Sequence, residues 1–279
     1  MIRDLIINNE IDKIKELFKI NKLSYFLKED SSSSSILYLS FIQNNMSIFE
    51  LLSSFGLVEY NQQILEEIIN YNYYSEKEKI KYINILIKYK FNLSKTKNLF
   101  KIIIDNKFKL LFNYFLQFKN LSRKIDNFPI LWYIIANSDS DFLDFYLNND
   151  EKPINYNTDI IEKQGNETIW EYLLSNHLNN DEHTKNELLD KITYLLVNNV
   201  NINILGTNQN NILQFFLVVV FPSKYSFYHD FISLIVNNTN IDLEHKNIYE
   251  LTVFDILEDK KNYFDNEFQY MVFLNNFNK

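Results

Sequence analysis

The chain is 279 residues long, has no cysteine and carries a net charge of −8, which excludes disulfides, a thiolate nucleophile and Cys-ligated zinc. Three Gly and three Pro are too few for the many turns of a β-sandwich or barrel. The 46% of hydrophobic residues, with 24 Phe and 19 Tyr among the aromatics, supplies a large core. An all-α protein is predicted.

The charge is divided unevenly. Residues 1–139 sum to +4 and residues 140–279 to −12, and Glu76 to Lys124 holds 13 basic residues against 3 acidic. Such asymmetry points to charged partners or to self-association through bipolar charge. The first stretch, "MIRDLIINNEIDKIKELFK", has no uninterrupted apolar run, so an export signal is not expected. The longest apolar run, "ILQFFLVVVF", is about half of the roughly 20 residues that cross a bilayer. A cytoplasmic chain with no membrane partner is expected.

In chain order, a short apolar box recurs. It reads "ILYLS" at Ile36, "ILEEI" at Ile64, "LFKII" at Leu99, "ILWYI" at Ile130, "IWEYL" at Ile169, "ILQFF" at Ile212 and "VFDIL" at Val253. A second segment with apolar residues at helical spacing recurs as well. "NNEIDKIKELF" from Asn8 and "NNMSIFELL" from Asn44 are the clearest copies, with others ending at Ile87, Leu116, Leu147, Val197 and Val236. The spacing predicts a repeated unit: first helix, short polar turn, second helix, longer loop. "NDEKPINYNTDIIEKQGN" and "NHLNNDEHTKN" read as loop insertions. About eight helix pairs follow, at 1–34, 35–61, 62–97, 98–127, 128–166, 167–209, 210–250 and 251–279. One pair cannot bury its apolar stripe alone, but stacked pairs share a continuous core, so one solenoid domain over 1–279 is expected.

This arrangement resembles the ankyrin repeat, which opens with a loop and Gly-x-Thr-Pro-Leu-His-x-Ala-Ala and closes on a helix ending in Leu-Leu. "NIYELTVFDIL" sets Asn247, Tyr249, Thr252, Phe254, Asp255 and Ile256 on that pattern, and "GNETIWEYLL" does so with Gly165, Thr168, Trp170 and Tyr172. The chain departs from it in lacking Thr-Pro, in placing Glu250 where the turn Gly stands, and in replacing small Ala residues with Ile, Tyr, Leu and Phe. A helical-hairpin solenoid of the tetratricopeptide or HEAT kind is the alternative. Long loops after the second helix favour the ankyrin-like reading.

The residues offer little chemistry. Glycines at 56, 165 and 206 cannot form a phosphate loop. His177 and His183 lie six apart, a spacing that suits neither one helix face nor a common zinc pattern, and they read as part of a solvated insertion. "NSDSDFLD" and "SEKE" read as helix caps. No enzyme, cofactor or metal is expected. The lysines of Glu76 to Lys124, interleaved with Tyr82, Tyr89, Phe91, Phe100 and Phe108, would suit nucleic acid. Lysines on a solvent face with aromatics turned inward account better for the helical spacing, so nucleic acid is the lesser reading.

A stacked array presents an extended concave face, and such proteins mostly hold other proteins. The ankyrin resemblance implies that the third residue of each box lies toward it: Tyr38, Glu66, Lys101, Trp132, Glu171, Gln214 and Asp255. Trp132 and Tyr38 are the preferred anchors, because large aromatics dominate interface energetics. Candidates for the loop tips are Tyr60, Phe91, Phe128, Tyr156, Asn157, Leu205 and Tyr249. A packing or hydrogen-bonding role is the competing expectation for each box residue. The expected function is a scaffold or adaptor whose acidic half captures a basic protein, as an inhibitor or immunity-like partner does. Self-association and nucleic-acid binding are the alternatives.

Overall fold

The computed structural model describes residues 2–20, 35–61, 63–96, 98–119, 121–148, 163–177, 182–197, 200–220, 225–238, 240–263, 270–271 and 274–277. Among these the fold is all-α, with strands of only two residues, and the chain divides into two compact units, Met1–Asp126 and Asn127–Lys279. No described helix is long and apolar enough to cross a membrane.

Among the described residues, the first unit is built from four helix pairs: α1 (Ile2–Ile7) with α2 (Ile11–Ile20), α3 (Ile36–Ile42) with α4 (Met46–Ser54), α5 (Ile64–Asn70) with α6 (Glu76–Lys88), and α7 (Leu99–Asp105) with α8 (Lys109–Leu116). First helices touch in the order α1, α3, α5, α7, and second helices in the order α2, α4, α6, α8. Each pair therefore buries its apolar face against its own partner and its neighbours.

Three of the four turns inside these pairs close in the same way. Asn9, Asn44 and Lys107 adopt left-handed φ of 57°, 52° and 57°. The next amide reaches back five residues in each: Glu10 N to Leu5 O (2.8 Å), Asn45 N to Ser40 O (3.0 Å) and Phe108 N to Ile103 O (3.0 Å). This is the Schellman closure, which satisfies carbonyls that a helix end leaves open. Asn tolerates that conformation better than other residues with a Cβ, which explains the Asn-rich turns.

Large aromatics fit the first core edge to face. The Phe41 ring meets Tyr71, Tyr74 and Tyr82 at centroid distances of 5.2, 5.0 and 4.9 Å, all near perpendicular. Two of these hydroxyls find acceptors, Tyr74 donating to Phe41 O (2.9 Å) and Tyr82 to Asn44 Oδ1 (3.1 Å). Burial holds both phenols above their usual range.

In the second unit the first helices are α9 (Ile130–Asn137), α11 (Ile169–His177), α13 (Ile212–Phe215), which runs into a π-helical turn at Phe216–Val220, and α15 (Val253–Asp259). They too touch in chain order. The second helices are α10 (Ser140–Leu147), α12 (Glu182–Val197) and α14 (Tyr225–Asn238), with Asn275–Phe277 packed on α14. Short strands Lys163–Gln164 and Glu167–Thr168 pair antiparallel across Gly165, whose φ is +65°.

All seven apolar boxes begin on the first residue of a helix. Ser75 forms the expected capping box with Glu78, and Asp139 accepts from Phe142 N at 2.8 Å. One expectation needs correcting. "NHLNNDEHTKN" is not loop throughout, since α12 begins at Glu182 inside it.

Lys79 on α6 is fully buried. Its ammonium donates to Ile69 O at 2.7 Å, at the C-terminal end of α5, and lies 3.9 Å from the centre of the Phe108 ring. Desolvation pulls its pKa below the ordinary value of 10.5, against the opposing pull of Glu76. The unfolded chain thus holds this proton more tightly than the folded one, so stability from this group rises with pH in the window below 10.5. In urea unfolding, the free energy of the wild type minus that of Lys79→Met is therefore expected to be larger at pH 10 than at pH 7; a pH-independent difference would contradict it. Lys79→Ala, which also removes the stem, should cost about 2–4 kcal/mol.

Candidate docking surface

Three of the four first helices of the second unit begin on a recurring polar device, α9 with Pro129 as its N-cap being the exception. Thr168, Asn211 and Thr252 are their N-cap residues, and Glu171, Gln214 and Asp255 stand three positions later. Glu171 Oε2 accepts from Thr168 N (2.8 Å), Gln214 Oε1 from Asn211 N (2.9 Å) and Asp255 Oδ2 from Thr252 N (2.8 Å). The N-cap oxygens accept in return from the N3 amides, at 3.0–3.2 Å. These are capping boxes, which occupy two backbone donors at each helix start. The Thr252 contacts hold the Asp255 carboxyl below its usual range.

Two of these side chains also grip the loop of the following pair. Glu171 Oε1 accepts from Thr207 N at 2.7 Å. Gln214 Nε2 donates to His245 O at 2.9 Å and to Leu251 O at 2.8 Å. A Cβ at Gly206 would overlap the Glu171 carboxylate, so this glycine is required by close approach; its φ of −96° suits any residue. Nearby, burial followed by the charge of Glu171 raises the Glu167 carboxyl.

Gln214 thereby fixes the base of a turn at Asn247–Leu251. Asn247 N donates to Leu251 O (3.1 Å), and Asn247 Oδ1 accepts from Tyr249 N (3.0 Å) and Leu251 N (3.2 Å). Asn247 Nδ2 donates to Asn210 Oδ1 (3.0 Å), and Ile248 N to Asn208 O (3.1 Å). Glu250 takes the left-handed conformation, with φ of 61°. The polar groups of the turn thus point inward, and its apolar side chains point out: Ile248 is 49%, Tyr249 62% and Leu251 40% exposed. In sequence the finger is flanked by exposed Asp242, Glu244, Glu250, Asp255, Glu258 and Asp259, against Lys246, Lys260 and Lys261.

The other expected contact residues fall into several environments. Trp132 is fully buried and stacks on Phe128 at 5.3 Å, with Tyr172 5.5 Å away, so it belongs to the core and cannot serve as a surface anchor. Phe128 is half-buried by the same stack. Glu171 and Gln214 are buried and committed to caps, and Asp255 is an exposed cap. Tyr38 is half-buried, its ring 6.4 Å from Tyr71. Glu66 and Lys101 are half-buried, Lys101 lying 3.8 Å from Asp105. Among the loop-tip residues, Tyr60 and Tyr249 are exposed. Phe91 is buried, because the chain turns back after α6 and tucks the ring inward, its amide bonding Leu86 O. Leu205 is half-buried, its carbonyl accepting from Lys163 Nζ at 2.9 Å. Tyr156 and Asn157 lie outside the described residues, as do the side chains of His177 and His183.

Ile248 and Leu251 were not among the expected contacts, although "NIYEL" carries the signal: an Asn able to close a turn beside three large apolar residues. Gly206→Ala is expected to lower stability by about 1–3 kcal/mol through overlap with Glu171. Glu171→Ala should also destabilise, by leaving Thr168 N and Thr207 N without their acceptor. Because Glu171→Ala relieves the overlap, the double variant should lose less than the two single losses together in thermal or urea unfolding; strict additivity would refute the contact. Family models, curated proteins and solved structures yield no match to this chain, so the geometry itself carries the functional reading.

Proposed function

We propose that this chain is a non-enzymatic protein-binding module, an ankyrin-like solenoid of stacked helix pairs whose second unit docks a basic partner protein. The finger at Asn247–Leu251 supports this reading. Its backbone is held by Asn247, Gln214 and Asn208, so little ordering entropy remains to be lost on binding. Its tip offers a tyrosine flanked by two aliphatics, the kind of side chains that anchor interfaces. The exposed carboxylates that flank it in sequence favour a positively charged partner and hasten encounter. The resemblance to ankyrin repeats agrees with the packing order of the helices within each unit.

An intracellular adaptor or an inhibitor that occludes a basic surface would both use such a finger. The test is affinity capture from native lysate with the wild type, with Ile248→Ser/Tyr249→Ser, and with Tyr60→Ser as a control on the other unit. A basic protein should be retained by the wild type and the control and lost from the finger variant, with unfolding temperatures unchanged. Retention should fall roughly tenfold between 0.1 and 0.5 M salt, as screening shortens the reach of the charges. Equal capture by the finger variant would remove the reading.

A further inference from the structure

In the first unit, the loops after α6 (residues 89–96 and 98) and after α8 (residues 117–119 and 121–125) border a small cleft of roughly 50 Å³, partly open to solvent. Ser94, Thr96, Asn98, Ser122 and Lys124 line it, above a floor that includes Leu93 and Leu121. Neither loop contains an Asp or Glu, and both carry cations: Lys90, Lys95, Lys119, Arg123 and Lys124 are all exposed. The nearest carboxylate in sequence is Asp126, beyond the second loop. Glu78 is engaged with Ser75 at the start of α6, and Asp105 lies beside Lys101 at the end of α7.

The Ser94 hydroxyl is spent on Asn92 Oδ1 at 2.6 Å, but the lining offers other donors. The Thr96 hydroxyl is buried, in a residue only 9% exposed, and makes no hydrogen bond. The Ser122 oxygen accepts from Lys124 N at 3.3 Å, which leaves its proton to donate. Asn98 has a left-handed φ of 57° and makes no side-chain cap to the helix that follows it. The ammonium of Lys124 completes the set. A group of hydroxyl, amide and ammonium donors without a carboxylate repels metal cations and suits an oxyanion, and a tetrahedral one uses several donors at once.

We propose that this cleft binds a phosphate group carried by a small phosphorylated molecule. Lys124 supplies the charge, Thr96, Ser122 and Asn98 supply directed hydrogen bonds, and the lysines of both loops raise the local concentration of anions. The site lies in the first unit and is independent of the protein-docking finger.

Amide NMR titration of the full chain with glycerol phosphate, with inorganic phosphate and with acetate, each against sodium chloride at matched ionic strength, tests this. Saturable shifts with glycerol phosphate, confined to residues 94–100 and 122–124, are expected. Thr96→Val, which keeps the shape and removes the donor, and Lys124→Gln should each weaken binding roughly tenfold. Lys124 is exposed, so its variant remains informative if Thr96→Val disturbs folding. Four outcomes would overturn the proposal: shifts that track ionic strength alone, saturation by inorganic phosphate but not by glycerol phosphate, equal affinity for acetate, or affinities that both variants leave unchanged. Tight binding of a single-stranded RNA with no response to glycerol phosphate would also overturn it and assign the basic loops to nucleic acid.

Discussion

A helix leaves about four amides at its start and four carbonyls at its end without partners inside the helix. The first helices of this protein are at most nine residues long, so most of their backbone polar groups are terminal. Burying such helices in a row is possible only if other side chains or turns satisfy those ends. The rest of the structure depends on this constraint, which the protein meets by passing caps from one pair to the next. Glu76 on α6 accepts from Leu111 N at 2.7 Å, capping α8, whose own N-cap Phe108 has no polar side chain. Tyr74 donates to the end of α3, and within its own pair Lys79 donates to the end of α5. In the second unit, Lys191 on α12 donates to Ala136 O at the end of α9 at 2.8 Å while pairing with Glu187 at 3.1 Å.

The same economy makes the finger possible. Gln214 closes the start of α13 with its oxygen and holds the next loop with its nitrogen, so one amide joins a helix end to a loop base. Asn247 satisfies the remaining groups of the turn from within. With the polar atoms spent on internal bonds, the surface of the tip is left to Ile248, Tyr249 and Leu251. Exposed apolar side chains on a backbone so constrained favour docking, because both the entropy cost and the hydration cost of association are small.

Buried lysines illustrate how the fold reassigns charge. In the sequence, Lys79 belongs to a basic stretch with the look of a polyanion surface. In the fold its stem is core, and its ammonium complements the negative end of a helix dipole beside an aromatic ring. The loops after α6 and α8 carry exposed Lys90, Lys95, Lys119, Arg123 and Lys124, while Lys77, Lys81, Lys88 and Lys107 are exposed elsewhere in the same stretch.

The sequence by itself determined where the seven boxed first helices begin, because box spacing and cap residues act locally. Ile36, Ile64, Leu99, Ile130, Ile169, Ile212 and Val253 all open helices, and Ser75, Asp139 and Thr252 cap theirs. It also placed Tyr249 at a loop tip. Only the tertiary structure decided which box residues face water. Trp132 looks like an anchor in one dimension, but its exposure depends on Phe128 and Tyr172, residues 4 and 40 positions away, which close over it. Glu171 and Gln214 are likewise drawn inward by amides and carbonyls of the following loop, partners at separations of 31 to 37 residues. Local periodicity fixes the phase of a helix, whereas burial and capping depend on neighbours that only folding brings together.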